Sequence, residues 1–166
     1  MGVRVEEATD WAAICTICEA AFGQRAEAEL VRHLHEDGDL ILSLTAYDEG
    51  GKPAGHIAFS RIVMPESADV RACALAPLAV APAFQNQGLG SDLVRRGLAK
   101  LSSDGYDLVV VLGEPKYYAR FGFTTQLASR LETPYDGPYL QALALSEKGK
   151  EAHGPVSYAR AFAEVT

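Results

Sequence analysis

The stretch that most narrows the fold is Tyr106 to Leu112, which reads Tyr-Asp-Leu-Val-Val-Val-Leu. Its apolar residues are continuous rather than alternating, the pattern of a strand covered on both faces, as in sheets with parallel pairing. The preceding segment, Ser91 to Leu101, has helical periodicity: Leu89, Leu93, Val94, Leu98 and Leu101 share one face, and Arg95, Arg96 and Lys100 take the other. Ser102-Ser-Asp-Gly105 stops that helix, and a long apolar strand, Val70 to Val80, comes before it. Strand, helix and parallel strand make a βαβ unit, whose crossover should be right-handed.

The first half of the chain predicts an antiparallel partner for this unit. Val3 to Ala8 reads as a short strand. Thr9 or Asp10 is a suitable cap for a helix over Trp11 to Phe22, which Gly23 ends, and Ala26 to His35 carries a second apolar stripe in Leu30, Val31 and Leu34. Leu40 to Tyr47, the turn Asp48 to Pro53, and Ala54 to Met64 form a hairpin that Val70 to Val80 extends into a meander. Beyond the βαβ unit we expect a short helix near Lys116 to Arg120, a strand opened by Phe121-Gly122-Phe123, a loop over Leu131 to Pro138 and a strand over Tyr139 to Leu145. A polar excursion over Ser146 to His153 and a final strand or strand end within Val156 to Ala163 complete the chain. The fold class is α/β with a mixed sheet, in one domain spanning residues 1–166.

Composition excludes several functions. A net charge of −7 disfavours a surface built for nucleic-acid phosphates. Met1 to Glu7 contains no apolar signal-peptide core, and no apolar run is long enough to span a membrane, which sets the expectation of a cytoplasmic protein without a membrane partner. Cys15, Cys18 and Cys73 do not make a disulfide framework. Cys15-Thr-Ile-Cys18 has redox spacing, but it lies within a predicted helix with no second pair, so core packing is the better reading. His33 and His35 point in different directions from one helix and cannot share an ion, so no metal site is expected.

The loop between strand and helix carries the chemistry. Gln85-Asn-Gln-Gly-Leu-Gly90 is followed by Ser91 and the helix. Glycines let a ligand approach the main chain, and a helix start offers free N–H groups and positive potential, which suits pyrophosphate. The P-loop alternative requires Lys-Ser or Lys-Thr after its last glycine, whereas Ser91-Asp92 stands here. A dinucleotide fingerprint needs its first glycine just off the strand, whereas Gly88 lies eight positions beyond Val80. Gly88 and Gly90 alone do not separate an anion cradle from an ordinary loop.

The combination does more. Val80, Gln85-x-x-Gly88-x-Gly90, an amphipathic helix, an apolar strand and then Tyr118-Ala-Arg-Phe-Gly122-Phe123 resembles the Gcn5-related N-acetyltransferase (GNAT) family over nearly the whole chain. Leu75 to Val80, Leu112 to Pro115 and Tyr117 to Phe123 are further similar to its bacterial YhbS-like subgroup. The resemblance implies a GNAT-like acyl-CoA N-acyltransferase fold with acetyl-CoA as co-substrate and no metal. It implies that Leu78, Ala79, Val80, Gln85, Asn86, Gln87, Gly88, Leu89, Gly90, Ser91 and Tyr118 bind the cofactor, with main-chain groups of Leu78 and Val80 pairing with the pantetheine arm and N–H groups from about Gln87 to Ser91 holding the pyrophosphate. An N–H at Ala79 or Val80 would stabilise the oxyanion, and Tyr118 would be the general acid. Tyr117 is adjacent, but the spacing to Gly122 favours Tyr118. The strands ending at Val80 and Leu112 would splay to admit the thioester.

Two features depart from that family. The strand Val70-Arg-Ala-Cys-Ala-Leu-Ala carries no carboxylate where many relatives have a basic Glu, and Gly113-Glu114 stands where they often have Asn. Glu66, Asp69, Glu114 and His56 remain as base candidates, each expected on a solvated surface. Cys73, mid-strand with no nearby His or Lys in sequence, reads as core rather than nucleophile. The acceptor, an amine on a small molecule or protein, is expected among the N-terminal helices, the hairpin loops and Leu127 to His153. The acidic balance would suit a cationic amine, and a homodimer through the C-terminal strands follows from resemblance alone. A non-catalytic acyl-CoA-binding module and a nucleotide-dependent enzyme are the alternative functions.

Overall fold

The computed structural model describes residues 2–164. In chain order these form β1 (Gly2–Val5), α1 (Trp11–Phe22), α2 (Ala26–Glu36), β2 (Leu40–Tyr47), β3 (Pro53–Val63), β4 (Ala72–Val80), α3 (Leu89–Ser103) and β5 (Leu108–Leu112). Then follow α4 (Pro115–Tyr118), α5 (Thr125–Ala128), β6 (Leu131–Glu132), β7 (Leu140–Ala144), α6 (Glu147–Lys150), β8 (Gly154–Pro155), β9 (Ser157–Tyr158) and α7 (Ala161–Glu164). The main sheet runs β1-β2-β3-β4-β5-β7, with β9 added beside β3. Within this main sheet, among the described residues, β4 and β5 are the one parallel pair, and α3 connects them.

Both faces of β5 are covered, which accounts for its unbroken apolar sequence. Val109 and Val111 join Leu93, Val94 and Leu101 of α3 and Phe59 of β3. Leu108 and Val110 pack the other way, against Ala128, Leu131, Leu140 and Val156. Nearer β1, α1 and α2 cover that second face through Ile14, Ile17, Cys18 and Val31. A Cβ on Gly97 of α3 would lie 2.5 Å from the Phe59 ring, so glycine sets how closely this helix approaches the sheet.

Asp10 does not cap α1 with its side chain; it is buried, accepting from Arg4 at 2.5 Å, from the Tyr47 hydroxyl, and from the Glu7 N–H at 2.7 Å as half of a capping box on the 3-10 turn Ala8–Asp10. Burial opposes its ionised form, but the bonds from Tyr47 and Glu7 and the Arg4 charge outweigh it and hold the carboxyl below its ordinary range. This network ties the first strand to the start of α1.

Several C-terminal expectations are corrected. Phe121-Gly122-Phe123 does not open a strand: a 3-10 turn covers Ala119–Phe121 and Gly122 closes it at φ 99°, leaving one isolated bridge from Thr124 to Ala142. The predicted strand over Val156 to Ala163 shrinks to β9 and then turns helical. Its site is limited, because β3 overhangs the start of β2 by Ile62 and Val63, and those two residues pair with Tyr158 and Ser157. The polar excursion contains α6, capped by Ser146, and the loop over Leu131 to Pro138 begins with β6, parallel to β8. Cys18 and Cys73 are buried and Cys15 is half-buried, all with free thiols.

Candidate active site

β4 and β5 separate because each follows a different neighbour. Their pairing runs from Ala72 opposite Leu108 to Leu75 opposite Val111. Past that point β4 stays with β3, where Val80 faces Gly55. β5 stays with β7, and the Gly113 N–H donates to Tyr139 O at 3.0 Å. Against β3, β4 advances from Leu75 to Leu78 while β3 covers Phe59 to Ile57, so β4 carries one extra residue at Ala76-Pro77. Such a bulge bends a strand locally. The result is a fork with arms at Pro77–Val80 and Leu112–Gly113.

The direction of the main-chain groups follows from strand geometry. Ala81 N–H donates to Ala54 O at 2.9 Å, so Ala81 is turned toward β3. Successive residues alternate sides, which turns Ala79 toward β3 and leaves Leu78 and Val80 facing the gap. Gln85 Nε2 donates to Val80 O at 2.9 Å, consistent with that carbonyl lying on the open side.

α3 begins beside this open edge. Gly88 precedes it at φ 83°, Asn86 also lies in the left-handed region at φ 61°, and no side chain caps the helix. The first intrahelical donor is Asp92 N–H, to Gly88 O at 3.0 Å, so the N–H groups of Leu89, Gly90 and Ser91 have no partner in the helix. A groove of about 640 Å³ runs over this end, lined by Leu78 and Val80 of β4, by the loop residues Gln85, Asn86 and Gly88, by Leu89, Gly90 and Ser91, and by Phe84, Tyr117 and Arg120. Eight of the residues expected around the cofactor are therefore together. Ala79 is not among them, since it is buried against α1. Gln87 is turned to a neighbouring recess with Val3 and Asp92, its amide donating to Ala83 O at 3.2 Å.

Arg120 was not singled out from sequence, although it lies inside Tyr118-Ala-Arg-Phe-Gly-Phe. Its guanidinium donates to Ser91 Oγ at 2.9 Å and sits 4.5 Å over the Tyr117 ring. A fixed positive charge thus adjoins the free N–H groups of α3, and both favour an anion there.

The two tyrosines are separated in role by position. Tyr117 lines the groove, with its hydroxyl 2.9 Å from where a Gly90 Cβ would be. Tyr118 does not line it; the ring packs on Gly113, at the β5 arm, and edge-on to Tyr117 and Phe123 at 5.0 and 5.7 Å. Burial, and then the neighbouring Tyr117, push the Tyr118 phenol up to about 12, so it carries its proton at every ordinary pH.

The base candidates are not brought to the fork. Glu66 and Asp69 are exposed near the opposite end of β4, and Glu114 turns back to accept from Lys116 N–H at 3.5 Å. His56, expected on a surface, is fully buried on β3, with Nε2 2.7 Å from Ser43 Oγ and Nδ1 unpartnered. Burial drives its pKa down to about 3, which keeps it neutral. The expectation failed because His56 lies on a strand whose two faces are both covered. Burial likewise pushes the Cys73 thiol far up, away from the nucleophilic thiolate.

With this geometry established, comparison with known proteins is decisive. Residues 6–123 match the model of the acetyltransferase (GNAT) family. The chain belongs to that family. It is 42% identical over 123 residues to the N-acetyltransferase YhbS of Escherichia coli K12, covering 74% of this chain and 73% of that protein. A crystal structure of E. coli YhbS in complex with CoA superposes with a TM-score of 0.90 at 36% identity, covering 98% of this chain and 91% of that one. A GNAT acetyltransferase from Brucella melitensis in complex with acetyl-CoA gives 0.82 at 35% identity, with 97% of each chain covered. The fold is that of this family, and among the described residues no helix is long and apolar enough to cross a membrane.

Proposed function

We propose that the protein transfers the acetyl group of acetyl-CoA to a primary amine by direct attack. The observation that carries this reading is the fork: main-chain groups of Leu78 and Val80 face its gap, beside an uncapped helix start and Arg120. Relatives crystallised with CoA and acetyl-CoA support the same choice of co-substrate.

The residues fit that ligand class part by part. Leu78 and Val80 offer strand-like donors and acceptors to the amides of a pantetheine arm. The N–H groups of Leu89, Gly90 and Ser91, with Arg120, offer charge-assisted bonds to a pyrophosphate. Bound acetyl-CoA supplies an activated acyl group in its thioester. The amine nitrogen attacks the carbonyl carbon, a C–N bond forms and the C–S bond breaks. The amine loses a proton, and the departing sulfur takes one. Val80 N–H, rather than Ala79 N–H, is the oxyanion donor, because Ala79 is turned toward β3. Tyr118 holds a hydroxyl donor near the β5 arm for the departing thiolate.

The test is to mix the pure protein with acetyl-CoA and a panel of primary amines while following thiol release and the mass of the product. Amine-dependent thiol release with a 42-dalton gain on the amine is the expected result for an added acetyl group in place of hydrogen (about 42 daltons by the covalent formula). A second reading, a non-catalytic acyl-CoA-binding module, draws on the lack of a carboxylate at the fork among the described residues. Tight acetyl-CoA binding without thiol release on any amine would favour it.

A further inference from the structure

The groove accounts for one side of the fork. A second recess, of about 260 Å³, opens on the other. Ala76 comes to it from the β4 bulge and Val110 and Leu112 from β5, while Tyr135, Tyr158 and Phe162 come from the C-terminal segments. Val110 belongs to the side-chain layer facing away from α3, whereas Val109 and Val111 face α3. The recess and the groove therefore lie on opposite faces of the sheet and meet where β4 and β5 part.

Building on the transfer reading above, we propose that this recess binds the acceptor, and that the acceptor is a primary amine with an apolar, preferably aromatic, substituent and no second charge. Among the described residues no charged side chain lines the recess. Three aromatic rings form a connected wall, with Tyr135 edge-on to Tyr158 at 5.0 Å and Tyr158 edge-on to Phe162 at 5.5 Å. Edge and face contacts of this kind select a further ring. Leu112 is 54% exposed at the rim, an apolar surface that a bound substituent would cover. The volume lies slightly below the roughly 300–1,000 Å³ usual for drug-sized ligands, so a small amine is indicated.

The same lining addresses the missing base. An ammonium entering an uncharged recess loses hydration that aromatic faces replace only in part, so its pKa falls and the free amine is favoured. The proton leaves to solvent before the nitrogen reaches the fork. A diamine or amino acid gains nothing from this device, because its second charge would be stranded. The acidic balance of the chain does not enter the recess lining, which among the described residues holds no carboxylate.

The experiment measures kcat/KM for phenethylamine, hexylamine, putrescine and lysine at saturating acetyl-CoA, with the protein as it is and with Leu112→Glu. Position 112 is exposed enough for that change to be tolerated, and a thermal melt checks the fold. We expect phenethylamine to exceed putrescine and lysine by about tenfold or more, the scale on which an apolar pocket discriminates. Leu112→Glu should lower the phenethylamine value about tenfold while the KM for acetyl-CoA stays unchanged. Preference for putrescine or lysine, with transfer intact, overturns the proposal but not the transfer reading. So does hexanoyl-CoA outrunning acetyl-CoA in a Leu112-dependent way, since the recess would then hold the acyl chain. If no amine is acetylated, calorimetry of phenethylamine with the protein–CoA complex decides: saturable binding abolished by Leu112→Glu supports the recess as an amine site, and no binding overturns it.

Discussion

On the α3 side of the fork the groove presents chiefly main-chain groups, with the Arg120 guanidinium beside them, whereas on the opposite side the recess presents side chains. The groove depends on backbone geometry: left-handed residues at Asn86 and Gly88, an uncapped helix and a strand edge freed by a bulge. The recess depends on rings and aliphatic groups carried by β4, β5, the loop at Tyr135, β9 and α7. A site built mainly from main chain suits a ligand that is the same in every reaction, because few of its contacts can vary by substitution. A side-chain site can be respecified by substitutions without disturbing the strands, so specificity belongs there. If the division is right, changes on one side should move constants for one substrate only.

The largest expected effect is at Gly90. Gly90→Val would put a branched side chain where even a Cβ would lie 2.9 Å from the Tyr117 hydroxyl, masking the free N–H groups. Losing two charge-assisted bonds of about 1.5 kcal/mol each weakens acetyl-CoA binding on the order of 100-fold by calorimetry. Phenethylamine binding should not change, and a loss on both sides would break the division. Next is Tyr118→Phe, expected to lower kcat about 100-fold with acetyl-CoA affinity unaltered. The sign of its pH dependence follows from the raised pKa: the donor form is present below about 12 and lost only above it. An alkaline limb near pH 9 that vanishes in Tyr118→Phe would contradict this. Arg120→Met should cost about tenfold in acetyl-CoA affinity, with the loss shrinking as salt is raised, since the guanidinium is exposed.

The smallest functional effect is expected at His56, which touches neither side. Its folded pKa is depressed to about 3, below the ordinary value of 6.5, so its contribution to stability is complete above 6.5 and is lost as pH falls toward 3. Melts of His56→Gln should show a flatter acid limb, with rates at neutral pH unchanged. An acid limb identical to the parent's would remove His56 from that account.

What could be read in the sequence divides along the same line. The groove was legible because backbone demands leave local marks: glycines at fixed spacing and a helix start. The β5 run was legible because burial on both faces removes alternation. Arg120 was missed because a single Arg beside aromatic residues carries no spacing signal, and only the approach of α4 to α3 gives it Ser91 as a partner. The recess was missed because Ala76, Leu112, Tyr135 and Phe162 are far apart in the chain and are joined only by folding. The C-terminal strand was overestimated because Val156 to Ala163 is β-prone, yet β3 overhangs β2 by too little to pair more than two residues. His56 was misplaced for a related reason, since a lone polar residue does not reveal which strand faces are covered.

The central claim is that groove and recess meet at one fork, so that the amine takes the acetyl group directly from the thioester. Initial rates with acetyl-CoA and the best amine of the panel both varied, followed by thiol release, test it most directly. The account predicts intersecting double-reciprocal lines, the mark of a complex holding both substrates at once. Parallel lines, with acetyl-protein detected when acetyl-CoA is added alone, would contradict it.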